Sequence, residues 1–163
     1  MTPPRFVHRT ALALAFLFTA AGAASAQGGG ASSEVLTNES VISMVTAKVP
    51  KSLIVTKVQT TKSEFDITPS GLIQLNNGKV SDDVIKMMLT AAGNAKGAPK
   101  ETLTNDDVIK MVAGGLGKDI ILAKVQMSKP DYDLTTSGLI NLNNNKVSQD
   151  VVKAMMTASS SSH

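Results

Sequence analysis

The 163-residue chain contains no Cys and no Trp, a single Tyr, and a formal net charge of +3. Without Cys it has no disulfide, no thiol nucleophile and no thiol-linked lipid, and zinc loses a principal ligand type. Arg5 and Arg9 are the only arginines and His8 and His163 the only histidines, so the body lacks both the Arg fork that favours nucleic acid and an internal His base.

The first predicted element is a leader. Arg5, His8 and Arg9 precede an apolar run at 11–24, and Ala24-Ser25-Ala26 forms a small-residue cleavage site before Gln27. This order predicts a secretory signal peptide over residues 1–26. The apolar run is shorter than the roughly 20 residues that span a bilayer. No stable membrane insertion is therefore expected after cleavage, and the product is expected in the periplasm or outside the cell. "QGGGASS" (27–33) reads as a flexible mature N-terminus.

Residues 34–91 align without gaps on residues 101–158, with more than half of the positions identical. This predicts a tandem duplication: one copy at 34–92, a linker "GNAKGAPK" at 93–100, a second copy at 101–158, and a disordered tail at 159–163. A fainter repeat within each copy puts Thr37, Thr68, Thr104 and Thr135 in one column. Apolar columns accompany it, among them Ile42, Ile73, Ile109 and Ile140; Leu53, Val84, Ile120 and Val151; and Val58, Leu89, Val125 and Met156.

Thr37 is expected to open the first helix by accepting a hydrogen bond from its first turn. "SLIVTKVQT" (52–60) is rich in β-branched residues, yet its counterparts "DDVIKMMLT" (82–90) and "QDVVKAMMT" (149–157) favour helix, so it is read as helix. Thr68 before Pro69 opens the third helix, "NNG" (76–78) supplies residues that tolerate the left-handed conformation at its end, and Ser81 opens the fourth. The second copy repeats the order. Thr104 and Asp107 have capping-box spacing, Thr135 follows, then "NNN" (143–145) and Ser148. The expected fold is all-α: two tandem copies of a four-short-helix module, each built from two helix-turn-helix hairpins over Val, Ile, Leu and Met.

The combination "LTNDDVIKMVAGGL" with "FDITPSGLIQLNNGKVS" resembles a tandem helical-hairpin module of uncharacterised exported bacterial proteins, with an "LTNxDVIxMVxxGL" pair followed by an "FDTSPxALIxLxxxGVS" pair. The resemblance covers nearly all of 35–90 and 102–157. It implies a helical fold, and it carries no activity, cofactor or active-site residue with it.

Few residues invite chemistry. "EFD" (64–66) and "DYD" (131–133) place Phe65 and Tyr132 between acids. Either these form an exposed recognition patch with Asp66 and Asp133, or the rings turn inward while the acids favour a helix N-terminus. Asp131, Asp133, Thr135 and Ser137 alternate as calcium-loop ligands do, but Thr136 and Leu142 occupy the obligatory Gly and Glu positions, so no metal is expected. "GGLGKDIILAKV" (114–125) departs from the helix-hairpin-helix DNA motif at Ala123. Lysines recur between copies, including Lys57 with Lys124 and Lys86 with Lys153; they mark either a stripe for an acidic polymer or a solvated helix face.

The sequence thus points to a non-catalytic exported protein without cofactors, serving the cell envelope as a structural or interaction module for a protein or peptide partner. The candidate interaction residues are Phe65, Asp66, Tyr132, Asp133, Lys57, Lys124, Lys86 and Lys153. The alternative is binding of an anionic envelope polymer or membrane surface through the repeated lysines.

Overall fold

Threonine caps and short amphipathic segments set the architecture. The computed structural model describes residues 34–94 and 101–161; the expected leader, flexible start and most of the linker lie outside the described residues. Within them the chain is mostly helical. α1 (Asn38–Thr46), α2 (Lys51–Thr60), α3 (Pro69–Asn77) and α4 (Asp82–Gly93) come first. β1 (Thr102–Thr104), α5 (Asn105–Ala113), α6 (Lys118–Met127), β2 (Lys129–Asp131), α7 (Thr136–Asn144) and α8 (Gln149–Ser160) follow. The helices run 9, 10, 9 and 12 residues in the first half and the same in the second.

The caps begin where the threonine column places them. Thr37, Thr68, Thr104 and Thr135 each accept a hydrogen bond from a first-turn amide, satisfying a donor the helix cannot satisfy itself. At Thr37 and Thr104 the bond is reciprocated by the side chains of Ser40 and Asp107. The β-branched stretch 52–60 is helical, within α2; tertiary burial of Ile54 and Val58 outweighs its strand preference.

The turns between paired helices differ from expectation. The left-handed residues are Lys48, Lys79, Gly115 and Lys146, with φ of 57°, 59°, 73° and 59°, whereas Gly78 and Asn145 keep φ of −72° and −89°. Each turn is a Schellman motif: Lys79 N–H donates to Asn76 O and Val80 N–H to Leu75 O, and the other three turns match. The apolar pairs Met44/Val49, Leu75/Val80, Met111/Leu116 and Leu142/Val147 occupy the two ends of this motif. Gly78 has another duty: a Cβ there would lie 2.7 Å from Ile42 Cγ1.

Contacts run along two rows. α2, α4, α6 and α8 form one row and α1, α3, α5 and α7 the other, each helix touching its neighbour in the row. The described residues fall within one compact unit, and one apolar cluster runs from Leu36 to Met155. A parallel ladder that the all-α expectation lacked joins β1 to β2, pairing Leu103 with Pro130. Leu36 makes a single bridge to Ser63 at the equivalent place. Segments of three residues carry no readable periodicity, and here the extended approach to a helix cap is fixed by burial of Leu36 and Leu103. Ser159 and Ser160, expected in a loose tail, complete α8, and Gly93, expected to open the linker, ends α4.

Candidate functional site

A cleft of about 840 Å³ opens where the two halves meet. One wall is the α2–α3 connection, residues 63–68, continued by Ala92 and Gly93 at the end of α4. The opposite wall is Glu101, Lys124 and residues 126–128 at the end of α6. Phe65, Ile67 and Met127 supply apolar surface, and Glu64, Asp66 and Glu101 supply three carboxylates.

The first wall is held rigid by a residue that sequence reasoning passed over. Asn38, buried at the start of α1, donates through Nδ2 to Asp66 O at 2.8 Å and accepts at Oδ1 from Asp66 N–H at 3.1 Å. It thus replaces a missing strand partner with a side-chain amide. Asn105 does the same for Asp133 at 2.8 Å and 3.1 Å. The signal was present as the Asn that follows the capping Thr in both halves. Asp66 Oδ1 accepts from Thr68 N–H at 2.9 Å, so this carboxylate serves the α3 N-terminus.

Lys124 and Glu101 form the polar centre of the other wall. Lys124 Nζ lies 2.5 Å from Glu101 Oε2, with the lysine side chain 1% exposed and the glutamate 34%. Beside them Ser128 is buried, and its hydroxyl has no hydrogen-bond partner among the described residues. An unpartnered buried hydroxyl costs stability. Glu101, Met127 and Ser128 were not singled out from the sequence; Glu34 and Glu101, identical in both halves, were the available clue.

The remaining candidates scatter. Phe65 is half-buried in the cleft, while Tyr132 lies against the core and buries its hydroxyl without a hydrogen-bond partner among the described residues. Burial, then the charge of Asp107, pushes the Tyr132 pKa to about 12. Tyr132 therefore offers no exposed hydroxyl for recognition. Hydrogen bonds from the Thr135 side chain and backbone hold Asp133 below the usual carboxylate range, and its carboxylate orients the Thr135 that caps α7. No group of three or more His, Cys, Asp or Glu among the described residues is placed to hold a metal.

The lysines do not form one stripe. Lys124 is buried, Lys57 pairs with Glu34 at 2.6 Å, and Lys86 pairs with Asp119 at 3.1 Å, tying α4 to α6. Lys153 makes no such pair among the described residues. Lys51 and Lys118 reach Asp83 and Asp150, each at 2.7 Å, and hold both carboxyls below their ordinary range. No described helix is long and apolar enough to cross a membrane.

No known protein family, curated protein or solved structure matches the chain. The functional reading therefore rests on this geometry.

Proposed function

We propose that the chain is an exported, non-catalytic helical protein, made of two tandem copies of a four-helix module, that binds an extended peptide or protein segment in the cleft between the copies. The observation that carries this is the cleft itself: a wall fixed by Asn38, apolar surface from Phe65 and Met127, and three carboxylates set against one buried ammonium. That balance favours a segment of alternating apolar and basic residues. Export rests on the leader pattern at 1–26. Ion pairing of Lys57, Lys86 and Lys124 weighs against the lysine-based polymer reading, because paired lysines present little net field.

Calorimetric titration with a peptide of alternating Leu and Lys tests this, beside the same peptide with Gln for Lys. Saturable binding of the first and weaker binding of the second is expected, and Glu64→Lys should weaken the first by about fivefold. A chain that saturates with neither peptide refutes the cleft as a binding site; equal binding of both refutes the role of its carboxylates.

A further inference from the structure

Three large apolar side chains are exposed among the described residues: Leu53 at 59%, Ile140 at 56% and Met156 at 42%. All three lie in the terminal hairpins, α1–α2 or α7–α8. Their sequence counterparts inside the row are covered. Val84, Ile120 and Val151, in the column of Leu53, are at most 1% exposed, and Val58, Leu89 and Val125, in that of Met156, at most 3%. Ile42 and Ile73, in the column of Ile140, lie over Gly78 and Gly114 of the next hairpin, where a Cβ would come within 2.7 Å of either Ile Cγ1. Each exposed residue is thus the member of its column that lacks the neighbouring hairpin it would face. Rows of this kind normally end in polar caps; among the described residues this one has apolar side chains at both ends.

We infer that the α7–α8 end of one chain docks on the α1–α2 end of a second copy, repeating the junction the chain already makes between α3–α4 and α5–α6. At that inner junction Ile73 covers Gly114, Ile120 is fully buried, Asn76 Nδ2 donates to Gly114 O at 3.1 Å, and Lys86 pairs with Asp119. The outer faces hold the counterparts. Ile140, Asn143 and Lys153 stand at one end; Ala47, Ser52 and Leu53 stand at the other. Ile140 covers Ala47, Asn143 donates to Ala47 O, and Leu53 is buried as Ile120 is.

Two differences make the outer contact weaker than the inner one. Ala47 adds a Cβ where Gly114 has none, so Ile140 sits less closely. Ser52 replaces Asp119, so Lys153 has no carboxylate to meet. Because the two faces differ, association is head-to-tail and does not close at two chains.

Sedimentation velocity of the chain as recovered from cells, over a wide concentration range, is the test. The sedimentation coefficient should rise continuously with concentration past that of a dimer. Leu53→Lys blocks one face and Ile140→Lys with Met156→Lys blocks the other. All three sites are exposed, so the far-ultraviolet spectrum should not change, and each blocked protein alone should remain monomeric. Mixed, the two blocked proteins should form a one-to-one dimer through their remaining faces. Ser52→Asp should tighten association about two- to fivefold by giving Lys153 a partner, a gain lost in high salt. A wild-type chain that is monomeric throughout, or a blocked variant that still dimerises with itself, overturns the proposal.

Discussion

The pairs Lys124–Glu101 and Lys57–Glu34 place the same two residue types at equivalent positions in different surroundings, which permits a controlled perturbation. Glu101→Gln strands an ammonium whose side chain is 1% exposed. Breaking a fully buried pair from one side costs about 3–5 kcal/mol. Glu101 is itself about one-third exposed, so water can reach the vacated site and the expected loss is nearer about 2 kcal/mol. Glu34→Gln leaves Lys57, 39% exposed, free to hydrate, and the expected loss is at most about 0.5 kcal/mol. Urea denaturation monitored by far-ultraviolet circular dichroism reads both, and a difference of about 1.5 kcal/mol corresponds to about 5 °C in Tm for a unit of this size. Adding Lys124→Met to Glu101→Gln should recover most of the loss, because the charge is removed while the apolar stem remains. Equal losses for the two Glu→Gln variants, or no recovery in the double variant, would refute the stranded charge as the cause.

Further outcomes follow from other sites. Tyr132 is the only tyrosine, so its titration is read directly from tyrosinate absorbance: it should ionise near 12 when folded, not near 10. Since the folded value lies above the unfolded one, stability is full below pH 10 and falls as pH rises from 10 toward 12; a midpoint near 10 in the folded protein would contradict the burial described. Gly138→Ala adds a Cβ that collides with the backbone carbonyl of Asp133, so it should lose about 1–3 kcal/mol in urea denaturation despite the better helix propensity of Ala. Lys146→Gly relieves a left-handed non-glycine residue and should gain about 0.5 kcal/mol by the same measurement.

The sequence made the helices legible because caps and apolar columns coincide: Thr104 with Asp107 marks the start of α5, and Ile85 with Leu89 marks the buried face of α4. The turn residues were misplaced by one position because Asn and Gly were given the left-handed conformation, whereas Lys79 and Lys146 adopt it. Gly78 is instead held in reserve for the close approach of Ile42, a contact between hairpins that no local window contains. The cleft was half legible. Phe65, Asp66 and Lys124 were among the candidates, but Glu101 and Ser128 join them only when α6 is laid beside the α2–α3 connection.

Position in the row, not residue identity, decides burial in this chain. Lys57 and Lys124 are the same residue in the same column; one is 39% exposed and the other 1% because only the second has a hairpin on its outer side. The cleft has the same origin. It forms where residues 63–68 of the first half meet Glu101, Lys124 and 126–128 of the second, and the first half's own Glu34, Lys57 and Gln59 face no such partner among the described residues. Head-to-tail docking would supply one. Each junction between chains would then build a further cleft, with Tyr132 in the place of Phe65 and Lys57–Glu34 in the place of Lys124–Glu101. The number of Leu-Lys peptides bound per chain should therefore rise from one toward two as the chains associate, and it should stay at one in the Leu53→Lys protein. Stoichiometry that ignores concentration while the chains demonstrably associate would show that the outer junction does not copy the inner one.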